Sequence, residues 1–339
     1  MRNHSLGALA YPVQSESPVL LDPPPHLRLV RSGPRTTQLL PPDAAHGPVD
    51  ERLAVPPALG PYEVLDLLAT GGMGGVYVAR HRFTADRVAL KVLSPRFAGN
   101  SELVRRLFGE LDVSKRVAHD GLVTIRDRAV ASSGLHYLVM ELVDGENLAG
   151  LLERGRIEIG AIAAIGGQVA DALAAMHERR IVHCDLKPDN VLVMYEHGLA
   201  GWPRIKVVDF GVARFLDRVA EETVAGTPAY MPPEQWAGEV EPRTDVYALG
   251  VMLYELLVGV TPFTGTVVEL MAAHSECLPD VPSRRRRGIP AALEELVLRM
   301  LAKDPGMRPR MALVARTLTE LAFAMPPGAR VVERAVIAS

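Results

Sequence analysis

The stretch IVHCDLKPDN, residues 181–190, puts an aspartate, a lysine and an asparagine on one short loop between the apolar runs RRIV and VLVM. A carboxylate such as Asp185 can take the proton of a hydroxyl nucleophile. Lys187 can steady a transferring phosphoryl group, and the amide oxygen of Asn190 can serve Mg²⁺. Pro188 would hold the turn. Cys184 is wedged between His183 and Asp185. Such a loop works only if the rest of a phosphoryl-transfer apparatus lies elsewhere in the chain.

Three further stretches offer parts of one. In LLATGGMGGVYVA, 67–79, Gly71, Gly72 and Gly74 separate two strand-like runs. A turn without Cβ atoms lets backbone N–H groups approach phosphates, although an ordinary hairpin would read the same way. In RVALKVL, 87–93, Lys91 interrupts an apolar strand, where a charge needs a partner or a path to solvent. Glu110 is the candidate partner, in a helical stretch whose inward face would carry Leu107, Leu111 and Ser114. In IKVVDFGVA, 205–213, an apolar strand ends in Asp209, then Phe210 and Gly211. A carboxylate there is a good hard-metal ligand, though the tripeptide alone is common by chance.

The elements that must position these residues fall into two groups. Runs at 62–69, 74–81, 87–93, 122–130 and 135–142 alternate like short β-strands, and 101–117 has helical periodicity. After Gly145 the pattern is mostly helical, with stretches at 161–180, 245–259, 291–303 and 312–324. A small β-rich unit thus precedes a larger α-rich one, joined by ELVDG at 141–145. Residues 1–61 hold 12 of the 27 prolines and no sustained periodicity. They read as a disordered arm, because they cannot bury enough apolar surface to offset ordering. Thr36 and Thr37 in that arm are either modifiable hydroxyls or plain linker. Residues 326–339 read as a short tail.

Composition narrows the function classes. The chain has 339 residues, 48% hydrophobic and 23% charged, with a net charge of −3. It carries no global bias toward nucleic acid or a membrane surface. Two cysteines, Cys184 and Cys277, are too few for a disulfide framework or a zinc site, which points to a reducing cytoplasm. No signal peptide is expected. The most apolar segment, 246–260, is short and carries Glu255, so it reads as a core helix rather than a membrane span.

Taken together, in order, these stretches resemble the bacterial form of the eukaryotic-like (Hanks-type) serine/threonine protein kinases, over roughly 62–325. GGMGGVY resembles the glycine-rich loop, VALK the ATP-lysine strand, HCDLKPDN the catalytic loop and DFG the metal motif. GTPAYMPPE resembles the end of the activation segment, and TDVYALG and DPGMRP signatures of the helical lobe. The resemblance implies an α+β, two-lobed protein-kinase fold, with an N-lobe over about 62–143 and a C-lobe over about 144–325. It implies ATP and Mg²⁺ as cofactors and proteins bearing Ser or Thr as substrates. Carried over, Lys91 binds the α- and β-phosphates and pairs with Glu110, while Asn190 and Asp209 hold the metal. Asp185 orients and deprotonates the hydroxyl, with Lys187 at the γ-phosphate. Gly71 and Gly74 lie nearest the phosphates. Leu68, Val76, Ala89 and Leu192 sandwich the adenine. Met140 resembles the gatekeeper, and Glu141 and Val143 the hinge. Glu234 pairs with Arg308, Asp245 receives the catalytic-loop backbone, and Thr227 contacts Asp185. Lys187 together with GTPAY resembles the Ser/Thr subgroup rather than tyrosine kinases.

The chain departs from the family pattern twice. Ala69 stands where the loop's first glycine falls, a modest crowding of the turn. Cys184 stands where the family most often has an arginine that neutralises a phosphate on the activation segment. Because that arginine touches neither ATP nor metal, activity is expected to depend only weakly on phosphorylation at Thr223 or Thr227. Cys184 reads as a space filler. The run 284–287 reads as a solvated turn, and His183 as a core residue beneath Phe210. An active kinase, able to phosphorylate itself, is the leading expectation. The rivals are a pseudokinase scaffold, supported only by Ala69 and Cys184, and a small-molecule kinase, which GTPAYMPPEQW weighs against. With no membrane span, a cytoplasmic protein is expected.

Overall fold

The computed structural model describes residues 56–197, 201–218, 225–325, 327 and 332–333. Residues 1–55 of the proline-rich arm, with Thr36 and Thr37, and also Thr223, lie outside them; the end of the expected arm is ordered, because Ala58 and Leu59 pair with Glu63 and Tyr62 and Leu59 is buried.

The first lobe is a six-stranded antiparallel sheet in the order β1-β2-β3-β4-β6-β5. Its strands are β1 (Ala58–Leu59), β2 (Tyr62–Gly71), β3 (Gly74–His81), β4 (Arg87–Leu93), β5 (Ile125–Val130) and β6 (His136–Glu141). Alternation along β4 sets the site. Val88, Leu90 and Val92 join Tyr77, Tyr137 and Val139 in a core on one face. Ala89 and Lys91 therefore point to the other face, toward helix α1 and the cleft between the lobes. The predicted strand at 122–130 begins only at Ile125, because Leu122 bridges to Val207 of the second lobe instead.

Helix α1 (Ser101–Arg116) forms because its ends and one face are satisfied. The Asn100 side chain accepts from the N–H groups of Glu102 and Leu103, Glu102 sits in the first turn, and Lys115 and Arg116 sit in the last. Leu103, Leu107 and Leu111 repeat every four residues and bury that face, with Glu110 beside them.

The second lobe is built on α3 (Ile159–Glu178), α5 (Pro242–Val258), α7 (Ala291–Met300) and α8 (Met311–Ala324). Helix α3 packs along α8 and crosses α5. It is long and apolar enough to cross a bilayer, but 72% of that stretch is buried within the lobe. The segment singled out from the sequence, 246–260, is the largely buried C-terminal part of α5 and the turn that follows, the helix being ended by Gly259 at φ 92°.

Elements missing from the sequence reading complete this lobe. They are β7 (Gly145–Asn147), α2 (Leu148–Arg154), β8 (Arg156–Ile157), α4 (Pro233–Trp236) and α6 (Val267–Glu276). Strands β10 (Val191–His197) and β11 (Pro203–Val207) pair with β7 in the order β11-β10-β7 under the cleft. Strand β9 (Ile181–Val182) pairs with β12 (Arg214–Phe215). The expected tail is not wholly free: β13 (Val332–Glu333) pairs with β8. Nor is 284–287 wholly solvated. Arg286 is buried, and its guanidinium donates to the carbonyls of Leu257 and Ile157.

Candidate active site

A cavity of about 310 Å³ opens between the sheet and the second lobe. The hairpin β2–β3 roofs it, with Gly71 opposite Gly74 as the closing pair. A Cβ on Gly74 would lie 1.9 Å from the Val92 carbonyl oxygen, so only glycine lets these strands lie together there. A Cβ on Gly71 would meet nothing within 4 Å. Arg96 donates to the Gly72 carbonyl at 2.9 Å and steadies the turn. Ala69 faces Val76 across the ladder, beside a register irregularity, and its methyl is accommodated.

The apolar walls come from both lobes. Leu68, Val76 and Ala89 line the cavity from above and Leu192 from below. Met140, opposite Ala89 in the ladder, lines the back, and Glu141 and Val143 line the connection between lobes. The Glu141 side chain faces away from this role: it accepts from Lys206 Nζ at 2.7 Å and from the Thr124 N–H at 2.7 Å.

The charged end is a three-way junction. Lys91 Nζ lies 2.5 Å from Glu110 Oε1 and 2.8 Å from Asp209 Oδ1. Burial opposes charge on Lys91, but the two carboxylates outweigh it and hold the ammonium above its ordinary range. Burial likewise opposes ionisation of Asp209, yet Lys91 holds that carboxyl well below the ordinary range. Burial pushes Glu110 up, against the pull of Lys91. The lysine that looked costly in a strand is therefore a permanently charged post.

The loop below brings the remaining residues together. After β9 the chain turns through His183 and Cys184, and a 3₁₀ turn (Pro188–Asn190) leads into β10. Asp245, fully buried, accepts from the N–H groups of His183 (2.9 Å) and Cys184 (3.0 Å) and bonds the His177 ring at 2.8 Å. Burial opposes its ionisation, but His177 and the loop N–H groups lower its pKa all the same. That network holds Cys184 at φ 66°, a left-handed conformation that a non-glycine residue adopts only when its surroundings impose it. Asp209 sits at the same φ of 66°. The Asn190 side chain donates to the Asp185 carbonyl at 2.8 Å, and the Val208 N–H donates to the Asn190 carbonyl at 2.9 Å. These bonds set Asp209 beside Asn190. Asp185 Oδ1 accepts from Thr227 Oγ1 at 2.6 Å, and Lys187 Nζ lies 3.2 Å from Asp185 Oδ2. Asp185 and Lys187 stand outside the cavity wall, at its mouth, while Asn190 and Asp209 line it.

Three supporting expectations can be compared with the structure, and one of them changes in detail. Arg308 and Glu234 form a buried bidentate pair at 2.6 and 2.9 Å. His183 meets Phe210 edge-on, with ring centroids 5.8 Å apart, rather than stacked face to face. Cys184 is buried, and burial together with Asp245 pushes its thiol well up, so it is an inert filler. Gln235 was not singled out from the sequence. It is buried and donates to the carbonyls of Cys184 (2.8 Å) and Ala225 (2.6 Å), tying the loop to the segment after it. No periodicity or charge marks such a residue in advance.

The donor set suits a hard cation. Asn190 spends its amide N–H on Asp185, which leaves its oxygen, and Asp209 is an ionised carboxylate at the end of a strand. The glycine hairpin above it supplies the space a phosphate needs.

The family description "Protein kinase domain" matches residues 62–318. The chain belongs to this family. The kinase is 38% identical over 296 residues to the serine/threonine-protein kinase Pkn1 of Myxococcus xanthus, covering 82% of this chain and 42% of that protein. It is 36% identical to the serine/threonine-protein kinase PkaA of Streptomyces coelicolor over 77% of this chain and 50% of that one. The chain thus spans half or less of the length of these relatives. The crystal structure of the Mycobacterium tuberculosis PknI kinase domain superposes with a TM-score of 0.60 at 29% identity, covering 78% of this chain and 97% of that one. The two-lobed α+β architecture is the protein-kinase fold.

Proposed function

We propose that the kinase transfers the γ-phosphoryl group of ATP, with Mg²⁺, to serine and threonine hydroxyls of proteins. The observation that carries this reading is that Lys91, Glu110, Asp209 and Asn190 line one cavity, with Lys91 bonded to both Glu110 and Asp209, and that the Asn190 side chain ties this polar end to the loop carrying Asp185 and Lys187.

Mg·ATP, when bound, supplies the transferable phosphoryl group and the cationic charge that offsets its oxygens. Lys91, seated by Glu110, presents a fixed ammonium toward the phosphates. Asn190 and Asp209 would each offer an oxygen to the metal. Asp185, positioned by Thr227 and the loop backbone, orients the incoming hydroxyl and accepts its proton. Lys187, between Asp185 and Thr227, brings a second positive charge to the point of transfer. The adenine would lie between Leu68, Val76, Ala89 and Leu192.

A protein substrate fits the segment after residue 225. Thr227 bonds Asp185, the turn Pro228–Tyr230 follows as a partly exposed ledge, and Tyr230 Oη donates to Glu255 at 2.6 Å to hold it. A ledge of this kind suits a peptide rather than a small alcohol. Two free cysteines, Cys184 buried and Cys277 exposed, suit a cytoplasmic location. We take 62–325, together with the strand Ala58–Leu59 that joins its sheet, as the catalytic unit, and the residues before that strand as an arm whose Thr36 and Thr37 are candidate targets of self-phosphorylation. Phosphate transfer from labelled ATP to a generic basic protein, beside small alcohols, tests the substrate class. Label on the protein alone supports the reading, and label on the alcohols alone overturns it.

A further inference from the structure

We propose that Phe215, Asp217 and Arg218 form a clip that seats helix α1, and with it Glu110 against Lys91, without a phosphate on the activation segment. Asp112 and Arg116 are the positioning residues on the helix. The inference rests on the kinase reading and assigns its activating contact to side chains of this chain.

Three observations carry it. The Phe215 ring contacts two guanidinium groups, Arg218 at 4.0 Å and Arg116 at 4.7 Å from its centroid. The ion pairs run reciprocally: Arg116 to Asp217 at 2.9 Å, and Arg218 to Asp112 at 3.3 Å. Each element thus contributes one acid and one base, and both arginines also contact the aromatic ring. The segment side is anchored in turn. Phe215 pairs with Ile181 in the β12–β9 ladder, and the Leu216 N–H donates to the Arg180 carbonyl at 2.9 Å. The clip therefore joins α1 to the strand that leads into the catalytic loop.

The geometry on the helix explains what the clip does. Asp112 and Arg116 are four residues apart and share a face. Glu110 precedes Asp112 by two residues, which at 100° per residue puts it about 200° away, on the opposite side. Lys91 holds α1 from within and the clip holds it from without. A helix held on both sides resists the roll that would withdraw Glu110. The pairs are exposed, so each is weak alone and screened by salt. Two crossed pairs around one ring constrain the approach more than either pair does. Cys184 provides no cation to receive a phosphate, so the seat has to come from contacts of this kind.

The test uses the full chain after phosphatase treatment. Arg218→Asp sets two acids against each other, and the swap Asp112→Arg with Arg218→Asp restores the pair in reverse. Two quantities are read: kcat/KM for ATP, and hydrogen exchange of the α1 amides, which needs no activity. The single variant should lower kcat/KM by about tenfold and raise exchange across Ser101–Arg116 by a similar factor, the size of an ordinary coupling energy, with α5 and α8 unchanged. The swap should recover both to within about twofold. Phe215→Ala should act like the single variant. Unchanged exchange in α1, or a swap no better than the single, would overturn the proposal. So would a hundredfold loss of wild-type activity on phosphatase treatment. A wild type that transfers no phosphate would count against the kinase reading instead, and the exchange data would still decide the clip.

Discussion

Thr227 and Asp185, 42 positions apart, share a 2.6 Å hydrogen bond in which the hydroxyl donates to the carboxylate, while Lys187 donates to the same hydroxyl at 2.9 Å. The residue proposed to take the substrate proton is thus oriented by the segment that would carry the substrate. Thr227→Ala should leave the fold intact and lower kcat by roughly 10- to 100-fold, against the 10²- to 10⁴-fold typical of losing the acid–base group itself. Thr227→Ser should retain most of the rate. Steady-state kinetics on the three variants, with Asp185→Asn as the limit, check the order.

The Glu234–Arg308 pair is a stability element. Arg308 is fully buried and also donates to the carbonyls of Ala302 and Lys303. Removing one partner strands the other charge in the core. Arg308→Ala should cost about 3–5 kcal/mol in urea unfolding, and Arg308→Lys should recover only part of it because an ammonium cannot make the fork.

The two glycines of the hairpin should behave oppositely. Gly74→Ala drives a Cβ into the Val92 carbonyl, so it should lower the melting temperature and weaken nucleotide binding together. Gly71→Ala meets open space and should leave the melting temperature unchanged, with any effect confined to the ATP KM. Thermal unfolding beside an ATP titration separates the two cases.

His274 gives the fold an acid limit. It lies buried with Nδ1 2.9 Å from Tyr247 Oη. Burial, helped by Lys303, pushes its pKa from the ordinary 6.5 down to about 4. The folded protein keeps it neutral while the unfolded chain protonates it, so stability is lost as pH falls through that window. The loss from this group should be about 3 kcal/mol between neutral pH and the acid side of the window. Urea unfolding across that range should show a steeper decline for the wild type than for His274→Gln, which cannot titrate there.

What was legible in the sequence follows physical lines. Lys91, Glu110, Asp185, Asn190 and Asp209 could be placed because charged residues in apolar surroundings stand out and their order matched a known set. The first lobe was readable because its strands alternate and its one helix carries a clean four-residue repeat. The small strands β7 and β12 of the second lobe were not, since they are two or three residues long and exist only through pairing with distant partners. Helix α6 could have been found: Thr266 and Glu269 form a capping box at its start. Arg286 was misjudged because a run of arginines looks solvated, and only the fold shows that one of them caps two buried carbonyls. The Arg116–Phe215–Arg218 cluster joins residues a hundred positions apart, and no local pattern announces it.

The central claim is that one cavity holds a working phosphoryl-transfer site. The most direct measurement is transfer of labelled phosphate from ATP with Mg²⁺ by the purified chain, beside Asp185→Asn and Lys91→Met. Label on the wild type and on neither variant is the expected result. Tight nucleotide binding without transfer by the wild type, or undiminished transfer by either variant, would contradict it.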